Sequence, residues 1–313
     1  MIDFAFQTAE RLQNNMEQVM LGKPEVVRSL LIALLAGEHV LLDDVPGVGK
    51  TLAAKALARS IDGIFTRVQF TPDLLPSDIV GSNLYRTDLH EFEFNKGPVF
   101  ANVVLADEIN RAPPRTQSAL LEAMSEGQVS VDGTTRPLPR PFTVVATQNP
   151  IEFEGTYRLP ESQLDRFLLR TSVGYPPQDV ERDVLRSHSE GEPVDGLKPV
   201  VSCDDVLRAQ AAVRKVGFDD SLIAYLLAVV DATRKNDQLQ VGVSTRAALS
   251  FYRGCQARAV TMNRDYVIPD DIKMLALPVL SHRIVLKDMF LAGDRSKAEQ
   301  VVREILDRIS VPV

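Results

Sequence analysis

The sequence predicts an α/β protein in which a parallel β-sheet lies between layers of helices and is followed by a small all-helical domain. Three observations support this prediction. The stretch DDVPGVGKT, residues 43–51, joins a short apolar run to a helical pattern. Strand and helix patterns alternate around it, as in parallel sheets covered on both faces. Beyond about residue 190, helical patterns dominate. We therefore predict one domain over residues 1–190 and a helical domain over residues 191–313.

Length and charge limit the class of protein. The chain has 313 residues, a formal net charge of −7 and a pI of about 5.3. Such an acidic monomer is poorly suited to the phosphate backbones of nucleic acids. Cys203 and Cys255 lack the spacing of a zinc site or a disulfide framework. The N-terminus does not resemble a signal peptide, and no apolar run reaches the roughly 18 residues of a membrane span. We expect a cytoplasmic protein without membrane insertion.

The elements around the glycine-rich stretch follow from local patterns. Pro24 opens a run with apolar residues at helical spacing, which predicts a helix that ends near Gly37. Residues 39–42 are short and continuously apolar, as expected for a buried parallel strand. The segment TLAAKALARSI is rich in Ala and Leu and predicts a helix that continues to about Asp62. This order of strand, glycine loop and helix is the context that a phosphate-binding loop requires.

The alternation continues beyond this helix. It predicts four further elements: FTRVQF (65–70, strand), VFANVVLADE (99–108, strand), PPRTQSALLEAMSEG (113–127, helix) and FTVVATQNP (142–150, strand). Two segments interrupt the rhythm. Residues 81–98 and 127–139 contain short alternating runs around turns, which predicts an inserted β-hairpin in each.

The last third of the chain is predicted to be helical. After Pro176 a helical segment and then a connection rich in Gly and Pro lead to residue 203. Four later segments have helical period and begin at or near Ser or Asp: SCDDVLRAQAAVRKV, DDSLIAYLLAVVDATRK, STRAALSFYRGCQARAVTMN and PDDIKMLALPVLSHRIV. They make up the predicted second domain.

The glycine loop carries the first chemical prediction. Backbone N–H groups of such a loop point at an anion, and the following helix adds the positive end of its dipole. Lys50 would reach the β- and γ-phosphates of a nucleotide, and the Thr51 hydroxyl would bind Mg²⁺. The residues predicted to surround the phosphates are Val45, Pro46, Gly47, Val48, Gly49, Lys50, Thr51 and Leu52.

Asp44 departs from the usual pattern of these loops. The pattern G-x-x-x-x-G-K-[ST] has a glycine where Asp44 stands. Aspartate tolerates unusual backbone angles better than most residues, so we expect a modified opening turn rather than a loss of binding. A surface turn before a helix is the alternative interpretation.

Acidic and amide side chains end two of the predicted strands. Asp107 and Glu108 close the apolar run VVLADE. Asp107 would hold Mg²⁺ directly or through water, and Glu108 would orient and deprotonate the attacking water. Asn149 ends a strand that we expect beside the one bearing Asp107, where its amide would lie near the γ-phosphate. A solvated acidic turn and an Asn-Pro turn are the alternatives.

Four blocks of sequence, in order, resemble the MoxR family of AAA+ ATPases, within its helix-2-insert branch. They are DVPGVGKT, VVLADEINRAPPRTQSALLEAMSEGQV, VVATQNPIEFEGTYRLPESQLDRFLLR and VSTRAALS. The resemblance spans essentially the whole chain and implies an ATPase that uses ATP and Mg²⁺. It identifies Asp107 and Glu108 with the Walker B pair and Asn149 with the first sensor. The turn containing Leu21 and Gly22 would contribute to the adenine pocket.

The same resemblance gives roles to arginines. Arg166 in LDRF matches the arginine finger, which acts on nucleotide bound by a neighbouring subunit, and Arg170 is a nearby rival. Arg246 in STRAAL matches the second sensor, an arginine of the lid that reaches the γ-phosphate. The alternatives are an ion pair of Arg166 with Asp165 or Glu161, and a salt bridge within the lid for Arg246.

The resemblance also implies a machine that acts on other proteins. Members of the family commonly form rings, here predicted to be a hexamer, and act as chaperones with partners that contain a von Willebrand factor A domain. The hairpins would face the ring pore or the partner, or have no function. A nucleic-acid remodelling ATPase and an ATP-holding switch with little turnover are the alternatives. The first is disfavoured by the acidic balance, whereas Asp44 keeps the second open.

Overall fold

The computed structural model describes residues 2–88, 90–150, 156–189, 191–288 and 295–312. Within these ranges the helices are α1 (Ile2–Glu17), α2 (Pro24–Ala36), α3 (Lys50–Arg59), α4 (Pro76–Val80), α5 (Pro114–Glu126), α6 (Glu161–Leu164), α7 (Gln178–Ser187), α8 (Cys203–Val213), α9 (Asp220–Arg234), α10 (Thr245–Thr261), α11 (Pro269–Leu280) and α12 (Arg295–Arg308). The strands are β1 (Val40–Asp43), β2 (Ile61–Asp62), β3 (Phe65–Gln69), β4 (Gly81–Arg86), β5 (Glu91–Lys96), β6 (Val103–Asp107), β7 (Gln128–Val131), β8 (Thr134–Pro137), β9 (Thr143–Gln148), β10 (Leu169–Thr171), β11 (Val201–Ser202), β12 (Leu239–Val241) and β13 (Val285–Leu286). The block of sequence over residues 144–170 includes residues 151–155, which lie outside the described ranges.

A five-stranded parallel sheet forms the centre of the fold. Its strand order is β10-β1-β9-β6-β3, and each neighbouring pair is parallel. Strands β1 and β6 are buried along their whole length, as expected when helices cover both faces. Asp43 pairs with Gln148 and Gln69 pairs with Asp107, so the strands end together. The carboxyl ends of the strands therefore lie side by side in one row, which we call the carboxyl edge of the sheet. The opposite ends of the strands form its amino edge.

Two hydrophobic clusters lie on the two faces of the sheet. Leu41, Val104 and Ala146 belong to a cluster shared with α5, whereas Val40 and Leu105 belong to a cluster shared with α1, α2 and α3. Neighbouring residues of a strand enter different clusters because their side chains point to opposite faces. The α/β class and the sheet between helical layers, predicted from the sequence, are thus confirmed.

The C-terminal part of the described chain is mainly helical and packs on the N-terminal helices. Helix α10 packs against α2 and α11, and α8 packs against α1. Strands β12 and β13 add one short antiparallel pair to this part, which the sequence did not predict. Among the described residues, no helix combines the length and the apolar character needed to cross a membrane.

The helix after the glycine loop is shorter than its composition suggests. It ends at Arg59, and Ile61–Asp62 instead forms a short parallel pair with Val201–Ser202. Tertiary pairing of these few residues overrides the local helical preference of Ile61. The predicted strand over residues 99–108 similarly begins only at Val103.

Both predicted hairpin segments are antiparallel hairpins, and they touch each other. Gly81 pairs with Lys96 across the first hairpin, and Gln128 pairs with Pro137 across the second. The Asn83 amide of the first hairpin donates a hydrogen bond of 2.7 Å to the Asp132 carboxylate of the second. The guanidinium of Arg136 also lies 4.0 Å from the centre of the Phe94 ring. The two insertions therefore form one packed unit.

Candidate functional site

The loop between β1 and α3 has the backbone shape of an anion cradle. Gly47 and Gly49 have φ angles of 82° and 96°, a region that favours glycine. Gly49 directly precedes the first turn of α3, whose backbone N–H groups have no acceptor within the helix. These groups and the helix dipole suit a bound phosphate. The residues predicted to surround the phosphates lie in this loop and first turn: Val45, Pro46, Gly47, Val48, Gly49, Lys50, Thr51 and Leu52.

The Lys50 ammonium lies over the loop and contacts carbonyl groups. It donates hydrogen bonds to the Asp44 carbonyl, to the Val45 carbonyl at 3.1 Å and to the Gln148 carbonyl at 3.2 Å. Burial lowers the pKa of Lys50, while the carboxylates of the site, Asp44 first, oppose this effect. Because its hydrogen-bond acceptors are neutral, the ammonium can exchange them for a negatively charged phosphate oxygen.

Asp107 and Thr51, the two residues predicted to bind Mg²⁺, lie side by side. The Thr51 hydroxyl donates to Asp107 Oδ2 over 3.4 Å. A hydroxyl and a carboxylate are hard oxygen ligands, which fit the preference of Mg²⁺. Arg67, which was not predicted from the sequence, donates to the same Oδ2 from Nε at 3.1 Å and from Nη2 at 2.7 Å. The Arg67 side chain is 48% exposed, and its Nη2 also donates to Gln69 Oε1 at 3.2 Å.

Glu108 has a left-handed backbone conformation, and two hydrogen bonds hold its side chain. Its φ of 57° lies in the left-handed region, which costs a non-glycine residue on the order of 1–3 kcal/mol. Such strain is common at functional sites. The carboxylate accepts hydrogen bonds from Gln69 at 2.7 Å and from Arg111 at 3.0 Å. The Glu108 side chain is therefore aimed from the end of β6 by two polar neighbours.

The end of β9 joins the glycine loop to the acidic pair. Because β9 lies between β1 and β6, Asn149 follows the strand beside the one that bears Asp107, as predicted. Asn149 is buried. Thr147, which was not predicted from the sequence, donates to Asp107 Oδ1 at 2.6 Å and accepts from the Glu108 N–H at 2.8 Å. One hydroxyl thus orients both members of the acidic pair.

Arg166 and Arg246 line the same cleft, but this cleft lies at the amino edge of the sheet. They line one cleft of about 280 Å³, with Glu38, His39 and Ser125 among its other lining residues. His39 precedes β1 and Arg166 precedes β10, so this cleft lies at the amino ends of the strands. The glycine loop lies at the carboxyl ends. Strand β1 has 4 residues, which separates the two edges by roughly 13 Å.

The contacts of the arginines differ from the ion pairs considered from sequence. Arg166 Nη1 donates to the Leu121 carbonyl and to the Ser125 hydroxyl at 2.7 Å. The Arg246 side chain begins in the first turn of α10 and is exposed. Arg170, the rival for the finger, is instead held within its own chain, where Nε donates to the Asp43 carboxylate at 2.7 Å. Because the half-buried Arg170 guanidinium is bound in this way, it is less available to a neighbouring subunit than an exposed arginine.

Asp44 and the turn of Leu21 and Gly22 meet a later part of the chain. Asp44 has no positive φ angle, so backbone tolerance does not explain an aspartate at this position. Its carboxylate instead accepts a hydrogen bond of 2.6 Å from the Gly174 N–H. Leu21 and Gly22 lie between α1 and α2, and Gly22 packs against Val180 of α7. These contacts between distant segments left no trace in the sequence pattern.

Comparison with known proteins agrees with this architecture. Residues 39–169 match the ATPase family associated with various cellular activities (AAA), and residues 231–305 match the AAA lid domain. The chain is 44% identical to Chaperone MoxR1 of Mycobacterium tuberculosis, over 97% of this chain and 82% of that protein. It is 30% identical to Protein MoxR of Paracoccus denitrificans, over 96% and 94%. A crystal structure of a protein from Cytophaga hutchinsonii is 39% identical, with a TM-score of 0.90 over 100% of this chain and 97% of that one. The chain therefore belongs to the MoxR family of AAA+ ATPases.

Proposed function

We propose that this protein hydrolyses ATP in the presence of Mg²⁺ and uses the turnover to remodel or assemble a partner protein. The arrangement that carries the proposal is the meeting of Lys50, Thr51, Asp107 and Glu108 at the carboxyl edge of the sheet. In particular, the Thr51 hydroxyl and the Asp107 carboxylate are 3.4 Å apart, beside a glycine loop that suits phosphate. Membership of an ATPase family supports the same reaction.

The residues of the loop would bind the triphosphate. Backbone N–H groups at the start of α3 would point at the phosphate oxygens, and Lys50 would exchange its carbonyl contacts for them. Thr51 and Asp107 would hold Mg²⁺, which neutralises charge on the β- and γ-phosphate oxygens. Arg67 already occupies Asp107 Oδ2, so Asp107 would act through water or after the withdrawal of Arg67.

Glu108 would serve as the general base and Asn149 as a positioning group. The Glu108 carboxylate would accept a proton from the attacking water while Gln69 and Arg111 keep it in place. Asn149, at the neighbouring strand end, would donate its amide to the γ-phosphate or to the water. Thr147 would fix the relative position of the acidic pair during this step.

Arg166 and Arg246 would act on nucleotide bound by a second copy of the chain. Because their cleft lies at the opposite edge of the sheet, they are too far from the loop of their own chain. A ring, which we propose to be a hexamer, would bring the cleft of one subunit to the loop of the next. Guanidinium groups delivered across this interface would stabilise the charge that develops on the γ-phosphate.

A substitution of Glu108 tests the proposed hydrolysis. We expect Glu108→Gln to lower the ATPase rate by about two orders of magnitude or more and to leave ATP binding intact, because only the base is lost. Steady-state turnover and calorimetric titration with ATP measure the two quantities. Glu304→Gln on α12, where the Glu304 carboxylate accepts hydrogen bonds from Gln238 and Gln300, is the matched control. Full turnover by the Glu108 variant would remove this residue from the role of base.

The name of the relative Chaperone MoxR1 supports a protein client. We propose that this chain acts in the cytoplasm on a protein client, together with a partner that contains a von Willebrand factor A domain. The Glu108→Gln variant, held with ATP, is the bait for capturing both from native cells. A rise in the ATPase rate on addition of DNA would favour nucleic-acid remodelling instead. Binding of ATP by the unaltered protein without multiple turnovers would favour a switch.

A further inference from the structure

The Asp44 carboxylate joins the glycine loop to a segment that lies far away in sequence. Its Oδ1 accepts a hydrogen bond of 2.8 Å from the Val45 N–H, inside the loop. Its Oδ2 accepts a hydrogen bond of 2.6 Å from the Gly174 N–H, in the connection between β10 and α7. Hydrogen bonds from N–H groups to a carboxylate are stronger than those between neutral groups. A glycine at position 44 would make neither side-chain contact.

Lys23 ties the same segment to the turn between α1 and α2. Its ammonium donates to the carbonyl oxygens of Gly174 and Tyr175, each at 2.9 Å. The two elements also pack closely, since a Cβ built on Gly22 would lie 2.8 Å from Val180 Cγ1. Residues 21–23 and 174–180 therefore form a two-sided wall, which we call the connector wall. Asp44 anchors this wall to the mouth of the glycine loop.

The position of the connector wall relates it to one part of a nucleotide. The phosphates belong in the loop, so the nucleoside must extend past the loop mouth, where Asp44 stands. The connector wall is joined to this mouth by the hydrogen bond between Asp44 and Gly174, and it includes the half-buried Leu21 and the 76% exposed Tyr175. An apolar side chain and an aromatic ring suit a nucleobase, which binds through stacking and apolar contact.

We propose that Asp44 and Lys23 are positioning residues, which fix the connector wall and thereby set the affinity for the nucleoside part of ATP. This inference rests on the proposed function above. The triphosphate would be bound by the rest of the loop and by the start of α3. The Asp44 side chain is not one of these phosphate-binding groups. The aspartate at the first position of the loop is then an anchor for the base site.

The Asp44→Gly variant separates the two parts of the ligand. Calorimetric Kd values are measured for Mg-ATP and for Mg-tripolyphosphate, which has no nucleoside. We expect the Kd for ATP to rise about tenfold and the Kd for tripolyphosphate to change by less than about twofold. Asp44→Asn keeps one acceptor oxygen and should give a smaller rise for ATP. Asp132→Gly, the same change in the turn of the second hairpin, is the matched control and should alter neither constant.

The Lys23→Met variant tests the other anchor. It keeps the apolar stem, removes the donor to residues 174 and 175, and should reproduce the selective loss of ATP affinity. The double variant of Asp44→Gly and Lys23→Met should lose less than the two single losses combined, because both hold one segment. Circular dichroism verifies that each variant is folded.

The outcomes distinguish this inference from the proposed function. Equal rises in both constants for Asp44→Gly would mean that Asp44 shapes the phosphate loop, and the inference would be overturned. An unchanged Kd for ATP would overturn it as well. If the unaltered protein bound neither ligand, the proposed function itself would fail, and the inference would fall with it.

Discussion

His39 is held as a neutral imidazole by two backbone groups. Its Nε2 lies 3.1 Å from the Met124 carbonyl, and its Nδ1 lies 3.0 Å from the Val144 N–H. The N–H of Val144 requires an acceptor, so Nδ1 carries no proton and Nε2 donates to the carbonyl. Burial lowers the pKa of His39 from 6.5 to about 4. This single ring therefore links the stability of the fold to pH.

The sign of this dependence follows from the two pKa values. Between about pH 6.5 and about pH 4 the unfolded chain binds a proton at His39 and the folded chain does not, so stability is lost as the pH falls through this range. Across this range the His39 ring lowers the free energy of unfolding by on the order of 3 kcal/mol. We expect His39→Gln to flatten the fall of unfolding free energy between about pH 7 and pH 4.5, measured by urea denaturation.

The comparison of His39→Gln with the unaltered protein is needed because other buried groups titrate too. Burial also lowers the pKa of His282 and raises the pKa of Glu38, and both groups remain in the variant. Only the difference between the two slopes reports on His39. Identical slopes would show that its ring does not carry this dependence.

Among the elements, the segment before β10 is fixed by a buried arginine of the C-terminal part. Arg283 donates to the carbonyl oxygens of Asp165 at 3.1 Å, Phe167 at 2.7 Å and Leu168 at 3.1 Å. It also forms an ion pair of 3.0 Å with the Asp165 carboxylate. Burial lowers the pKa of Arg283 to about 10, so the guanidinium stays charged at neutral pH. Arg166 lies between the residues that Arg283 holds.

We expect Arg283→Met to destabilise the protein by about 3–5 kcal/mol, because the change removes a buried guanidinium and leaves the half-buried Asp165 carboxylate without its cation. Chemical denaturation measures this loss. The matched control is Arg303→Met on the exposed face of α12, where the ion pair with Glu299 spans 3.7 Å and contributes little. An effect below about 1 kcal/mol for Arg283→Met would show that the segment before β10 is stable without this arginine.

On the scale of the whole molecule, the residues proposed for ATP hydrolysis are divided between the two ends of the strands of the sheet. The loop, Asp107 and Glu108 lie at the carboxyl edge, whereas Arg166 and Arg246 share the cleft at the amino edge. In the ring that we propose, the cleft of one copy would pack on the loop of the next and bring the two groups of residues together.

Mixed assemblies test this arrangement. Arg166→Ala should keep its ATP affinity and lose turnover by about 10³-fold, because the arginine acts in the transition state. Added Lys50→Ala subunits, whose own loops are impaired, supply intact clefts and should partly restore the rate. The same complementation is expected for Arg246→Ala, since the two arginines share one cleft. Restoration for Arg166→Ala alone would place Arg246 in its own subunit's site.

Much of the architecture could be predicted from local sequence. The glycine loop, the acidic strand end and the helix caps each depend on residues within a few positions, so their spacing identified them. Helix and strand types followed from apolar period for the same reason. Prediction from local sequence was wrong where a residue pairs with a distant segment. Ile61, for example, pairs with Val201 instead of extending α3.

The sequence by itself determined the fold class, the family and the loop with its acidic partners, because these signals are local or recur as ordered blocks. The tertiary structure alone brought Thr147 and Arg67 onto Asp107, since their strands are neighbours only through the order of the sheet. It also placed Arg166 and Arg246 at the amino edge of the sheet, opposite the loop at the carboxyl edge. It gave Asp44 a hydrogen-bond partner at Gly174. Such contacts join residues separated by tens to more than a hundred positions, and no spacing along the chain encodes them.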